Sequence, residues 1–437
     1  MKNCELLISA DYILTQNLEC PLLEKAAVAI DAGLIVAIGE AETLKQNFRP
    51  AKSINLGRAL IMPGLVNAHT HIPMTLLRGV ADDLQLMEWL NKHIWPLEAK
   101  FNTEILQAGS LLACAEMLRT GTTAFLDMYI NEAPIFRTVD STGMKALVGE
   151  GIIRFPSLAS KDGDEALELA RSQAEELKGN PRIRCCISPH SVYTTTLELL
   201  EKCAALAEEL DLPMHIHLAE TKDETAQSLE LNGCRPVEQC RRAGILGSRT
   251  TVAHAVDLTE EEIALFASTG TVVAHNPRSN MKLASGAAPV SRMLEKGVRV
   301  GLGTDGAASN NALNMFTEMS SCALMHKLVH LNPTTMPAQT VLNLATLGGA
   351  EALHWPGLGQ LAQNGPADLI ALDLNAPNLT PFNDPVSHLV YAASGHEVIL
   401  SMVDGRVLYE NGNFLSLDYP ALIKEVEDIR IWLKKHV

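Results

Sequence analysis

Met62-Pro63-Gly64-Leu65-Val66-Asn67-Ala68-His69-Thr70-His71 runs an apolar stretch into a His-X-His pair. In an extended strand, residues two apart project to the same face, so His69 and His71 point together. Two imidazoles on one face are the beginning of a Zn²⁺ or Fe²⁺ site. A pair at this spacing is more often structural than metal-binding, so further ligands must come from elsewhere in the chain.

Downstream of this stretch, β-rich runs alternate with amphipathic segments. The runs cover residues 59–71, 122–129, 145–152, 183–191, 213–220, 250–256, 271–277 and 298–305. Between them, segments such as 103–120, 164–178, 196–210 and 260–268 carry apolar residues at three- and four-residue spacing, the helical pattern. Eight strands alternating with helices predict an α/β fold, a (β/α)₈ TIM-type barrel with active residues at the carboxyl ends of its strands. The two ends of the chain read differently. Residues 4–15, 26–38, 367–374 and 399–409 are strand-like, with turn signals at Asp31-Ala32-Gly33, Asp404-Gly405 and Asn411-Gly412-Asn413. We therefore expect residues 1–58 and 367–437 to form one small composite β-sandwich domain with a terminal helix from 418, flanking a catalytic barrel over 59–366.

Composition narrows the function class. A chain of 437 residues with 47% hydrophobic content can bury a large core. Its net charge of -16 disfavours nucleic acid or an anionic membrane surface as partner and favours a small molecule. No signal peptide is evident at the amino terminus and no apolar run approaches a membrane span, so a cytoplasmic protein is expected. The nine cysteines include no C-x-x-C and suit neither a disulfide framework nor a Cys-based zinc site, so reduced, buried thiols are expected. The sequence does not disclose a subunit interface, and a homo-oligomer is compatible with it.

The remaining polar groups fall at predicted strand ends. The fifth run ends His215-Ile216-His217-Leu218-Ala219-Glu220, the sixth Val252-Ala253-His254, and the eighth Gly303-Thr304-Asp305-Gly306. His215 lies one layer deeper than His217 and reads as a hydrogen-bonded barrel histidine. Asp305, taken singly, could be a helix N-cap. Three histidines and one aspartate at strand ends one, five, six and eight would give a divalent metal four ligands and leave a position for water.

With these residues in place, the chain resembles the amidohydrolase superfamily through Asn67-Ala68-His69-Thr70-His71, His217-Leu218-Ala219-Glu220-Thr221, His254 and Gly303-Thr304-Asp305. Within it, Leu76-Leu77-Arg78-Gly79, Glu88-Trp89-Leu90, Trp95-Pro96-Leu97-Glu98, Ser188-Pro189-His190-Ser191 and Thr304-Asp305-Gly306-Ala307-Ala308-Ser309-Asn310-Asn311 resemble the 5′-methylthioadenosine/S-adenosylhomocysteine deaminases. The resemblance implies one divalent ion per subunit, Zn²⁺ before Fe²⁺, held by His69, His71, His217 and Asp305. No lysine ends the fourth strand, where binuclear members carry a bridging carboxylated lysine. The absence of C-x-x-C sets the chain apart from the zinc deaminases with a P-C-x-x-C signature.

The implied reaction is hydrolytic deamination of an adenine ring to the inosine analogue and ammonia. Glu220 is expected to protonate N1, Asp305 to accept a proton from the attacking water, and His254 to orient it. By the same resemblance Glu98 would bind the ribose 2′- and 3′-hydroxyls and His190 would reach the purine. Met87, Trp89 and Leu90 are candidates for a thioether pocket on a lid over 82–95, and Arg154 is a candidate for an amino-acid carboxylate. Adenosine is a further candidate substrate. A deaminase of a free base or pterin, or an s-triazine hydrolase, is the rival enzyme reading, with Glu98 the discriminating residue. A non-catalytic barrel scaffold is the remote alternative.

Overall fold

The computed structural model describes residues 1–17 and 21–436. Cys20 and the final residue of the expected terminal helix, Val437, lie outside the described residues. Eight parallel strands form the barrel wall: Leu65–Thr70, Thr122–Tyr129, Lys145–Ile152, Ile183–Cys185 continued by Ser188–Pro189, Met214–Leu218, Thr250–His254, Val272–His275 and Arg299–Leu302. Strands one to four make one arc and strands five to eight a second. The bridges Ile187↔Met214 and Ser191↔His217 join the arcs on one side. On the other side Asp305 N donates to His69 O at 2.9 Å, and an added Cβ at Gly301 would come within 3.0 Å of Ala68 Cβ. The strands are buried along most of their length, as parallel strands covered on both faces must be.

Helix starts follow the cap chemistry of the sequence. Asn102 and Thr196 accept from the backbone N–H three residues on, at Ile105 and Leu199, and Thr259 with Glu262 forms a reciprocal capping box. The expected strand over 59–71 is two strands. Ala59–Pro63 and Leu65–Thr70 are separated at Gly64, where a Cβ would lie 2.0 Å from Thr123 Oγ1. The apolar run is continuous in sequence because both pieces are buried, the first in the terminal sheet and the second in the barrel.

Both termini build one nine-stranded sheet. Lys2–Leu14 pairs along its length with Leu22–Asp31 and splits its other edge between Phe48–Asn55 and Ala59–Pro63, which bends the sheet around two small cores. Leu369–Asp373 continues it antiparallel to Ala59–Pro63. The runs 26–38 and 399–409 are hairpins, turning at Ala32-Gly33 and Asp404-Gly405, all four residues with positive φ. The terminal helix Tyr419–Leu433 starts at the Asp418 cap and packs on Thr103–Arg119. All eight described cysteines are free and buried, and among the described residues no helix is long and apolar enough to cross a membrane.

One ion pair clasps the terminal sheet to the barrel. Lys145, 3% exposed at the start of strand three, donates to Asp368 and Asp404, both at 2.6 Å. Removing the cation leaves buried Asp368 uncompensated, a change that costs about 3 kcal/mol in comparable sites. Lys145→Met should therefore lower the urea unfolding midpoint by the equivalent of about 3 kcal/mol, whereas an unchanged midpoint would show that the clasp is energetically idle.

Candidate active site

The carboxyl ends of the strands bring four ligand-type atoms together. His71 Nε2 lies 3.1 Å from His217 Nε2 and 3.2 Å from Asp305 Oδ1, and His69 Nε2 lies 3.4 Å from the same oxygen. All four residues are buried, and His69 Nε2 has no hydrogen-bond partner. What aims these nitrogens is the other side of each ring. His69 Nδ1 contacts His215 Nε2 at 2.8 Å, His71 Nδ1 contacts Met128 O at 2.5 Å, and His217 Nδ1 contacts His190 O at 2.7 Å. A carbonyl oxygen can only accept, so His71 and His217 carry their protons on Nδ1 and present bare Nε2 lone pairs inward. His215 Nδ1 is held in turn by Thr251 O at 2.9 Å, which leaves His215 Nε2 as the acceptor for His69. The donor set fits a divalent ion: three imidazoles oriented through their Nδ1 contacts, one carboxylate, and an orphaned buried nitrogen.

Electrostatics agree with the geometry. Burial holds His69 down to about 4 and His217 well below the ordinary imidazole range, so both are neutral. Burial also opposes charge on His71 and Asp305, but their mutual contact prevails, aided at His71 by the Met128 carbonyl. His71 is lifted to about 9, and Asp305 is held well below the usual carboxylate range. A proton and a cation thus compete for the space between these two residues.

Asp305 is fixed from behind. Ser279 and Ser309 donate to its Oδ2 at 2.6 and 2.8 Å, and Gly306 N donates to Oδ1 at 2.8 Å. Asn67 ties strand one to strand eight, donating to Thr304 Oγ1 at 2.8 Å and accepting from Thr304 N at 3.0 Å. Ala219, His254 and Asp305 all have positive φ, 51°, 73° and 62°, a conformation that is costly outside glycine and turns the chain sharply at three strand ends.

Glu220 and His254 stand beside the histidines, with His254 Nε2 3.9 Å from Glu220 Oε2. His254 Nδ1 faces Asn280 Oδ1 at 3.0 Å. Burial, reinforced by the Asp305 charge and opposed by His254, raises the Glu220 carboxyl. Glu98 is also buried and raised, although the Tyr129 hydroxyl donates to its Oε1. His190 is held down to about 3 by burial and contacts Thr194 Oγ1 at 3.1 Å through Nδ1.

One cavity gathers His71, His217, Asp305, Glu220, His254, Glu98 and His190, and Trp89 and Leu90 line it from the lid. The lid carries a π-type turn at Leu90–Ile94 and is tied to the barrel by Lys282 on Asp82 at 2.6 Å. Met87 faces an outer crevice instead. Arg154 is exposed and lines a neighbouring crevice with Tyr193, Thr195 and Glu224. The sequence reading gave no role to Asn67, Tyr129, Ser279, Asn280 or Ser309. The polar run His275-Asn276-Pro277-Arg278-Ser279-Asn280 at the end of strand seven was the available signal, since polar groups at that end of a barrel strand belong to the site.

The model of the amidohydrolase family matches residues 60–408. A 5-methylthioadenosine/S-adenosylhomocysteine deaminase of Nitratidesulfovibrio vulgaris (strain DSM 19637 / Miyazaki F) is 60% identical, covering 98% of each chain. A 5′-deoxyadenosine deaminase of Methanothermobacter thermautotrophicus is 45% identical over 84% of this chain and 86% of its own. Among solved structures, an adenosine deaminase from Xanthomonas campestris with bound zinc superposes with a TM-score of 0.97 at 39% identity, over 99% of each chain.

His215 touches no ligand-type atom except through His69, so its loss should act on metal affinity alone. His215→Phe is expected to weaken zinc binding about 10–100-fold in a competitive chelator titration while the fold persists by circular dichroism. Unaltered affinity would mean that the His69 ring needs no partner.

Proposed function

The chain belongs to the amidohydrolase family, and from that premise we propose that it hydrolytically deaminates the adenine ring of 5′-methylthioadenosine or S-adenosylhomocysteine, releasing ammonia and the inosine analogue. The observation that carries this reading is the shared cavity: a metal-type donor cluster and Glu220, whose carboxyl is raised by burial, open onto the same space as Glu98, a buried acidic side chain suited to a sugar diol. The identities of the close relatives support the adenine nucleoside over a free base.

His69, His71, His217 and Asp305 would hold one divalent ion, zinc before iron, and such an ion supplies a water whose pKa is lowered toward about 7. His254, with Nδ1 held at Asn280 Oδ1, keeps Nε2 free to orient the attacking water. Asp305 accepts a proton from that water. Glu220, raised by burial, carries a proton to purine N1 and serves as the shuttle to the departing amino group. His190, neutral and anchored through Nδ1, offers Nε2 to the purine ring. At Glu98, Tyr129 occupies one oxygen from the barrel side and leaves the rest of the carboxylate for the ribose hydroxyls.

Ammonia release should be assayed with zinc-loaded protein on adenosine, 5′-methylthioadenosine, S-adenosylhomocysteine, adenine, guanine and cytosine. Turnover is expected on the nucleosides, and activity confined to free bases would overturn the reading. Glu220→Gln should keep its metal and lose at least about 100-fold in kcat, and full activity in that variant would remove Glu220 from the proton path. Glu98→Ala should raise KM for 5′-methylthioadenosine without metal loss. An unchanged KM would deny it the ribose.

A further inference from the structure

Beyond Glu98 the cavity continues. A second chamber of about 100 Å³ shares Trp95, Glu98, Ile130 and His190 with the metal-side cavity and extends past Ile153 to the loop that follows strand three. Its far wall is Phe155, Pro156 and Leu158, with the Phe155 ring 5.9 Å from the Trp95 ring at 58°. The residue proposed to grip the ribose therefore sits at the seam between the two chambers. With the base at the metal side and the sugar at Glu98, what hangs from the sugar's far end enters the Phe155 chamber. The outer crevice under the lid shares only Leu86, Tyr193 and Leu283 with the metal-side cavity and touches neither Glu98 nor His190.

The chamber has no cation. Its ionisable groups are Glu98 and His190, and its other polar lining residues are Ser157 and Thr194. Arg154 is adjacent in sequence but turned away. Its N–H is bound to Thr194 O at 2.9 Å, and its side chain lines the crevice beside Glu224 and Gln227. Lys100, next to the lining residue Ala99, donates to His436 O at 3.3 Å, and Lys161 lines a surface crevice with Asp164 and Arg171. An amino-acid tail carried into this chamber would have its carboxylate desolvated without a cationic partner and beside the acidic Glu98 side chain. An alkylthio group would bury apolar surface against Trp95, Phe155 and Leu158.

We propose that the Phe155 chamber receives the 5′ substituent and selects adenine nucleosides with a small uncharged one, so that 5′-methylthioadenosine is preferred over S-adenosylhomocysteine. This rests on the deaminase reading above and names which of its substrates the site is built for.

The test compares kcat/KM by ammonia release from zinc-loaded wild-type protein on 5′-methylthioadenosine, 5′-deoxyadenosine, a 5′-butylthio analogue and S-adenosylhomocysteine. The expected order places all three uncharged substrates above S-adenosylhomocysteine, with 5′-methylthioadenosine ahead by at least about tenfold. The butylthio compound separates charge from bulk. Leu158→Arg, a half-buried loop position, should lower 5′-methylthioadenosine turnover and raise that of S-adenosylhomocysteine. The wild-type series decides the matter if that variant does not fold. Equal or better turnover of S-adenosylhomocysteine by wild-type protein overturns the selectivity and leaves the deaminase reading intact. No turnover of any adenine nucleoside overturns the deaminase reading itself.

Discussion

Everything in this site depends on the Nδ1 contacts behind three histidines. A strand end can bring imidazoles close, but only a fixed tautomer makes them ligands, and here His215 Nε2, Met128 O and His190 O each take one ring's Nδ1. These partners come from the barrel wall, so the wall's register becomes the ligand geometry. The bridge between Ser191 and His217 and the bond from Asp305 N to His69 O close the barrel at the points where ligands leave it. The seam of the fold and the metal site are the same structure.

Backbone strain accompanies this arrangement. Ala219, His254 and Asp305 hold positive φ at the ends of strands five, six and eight, beside or at the cavity-lining residues Glu220, His254 and Asp305. The surrounding bonds stabilise that geometry: two serines on Asp305, and Asn67 spanning to Thr304. Glu220 and Glu98, both raised by burial, line the same cavity. The cavity thereby sets two buried acidic side chains beside a cluster of cation-type donors.

Much of this was legible in sequence because it follows from period and position. Strands two and three occur at 122–129 and 145–152 as expected, since continuous buried runs bounded by helices leave little freedom. His69, His71, His217 and Asp305 converge because residues at the carboxyl ends of barrel strands must face one mouth. The division of 59–71 was not legible. The two strands meet at Gly64, where Thr123 leaves no room for a side chain, a contact 59 positions away that no local pattern encodes. Nor was Tyr129 on Glu98, which joins strand two to the lid, nor the direction of Arg154, which depends on how the loop after strand three folds back onto Thr194. Local periodicity places elements, whereas side-chain partners across loops require the tertiary structure.

If one divalent ion, held by His69, His71, His217 and Asp305, makes the cavity a deaminase, activity must follow the bound metal. The most direct measurement is zinc titration of metal-stripped protein, following bound metal by mass spectrometry and ammonia release from 5′-methylthioadenosine in the same samples. Activity should rise in proportion to bound zinc and level off at about one ion per chain. Activity that needs a second ion, or that persists in the stripped protein, would contradict it.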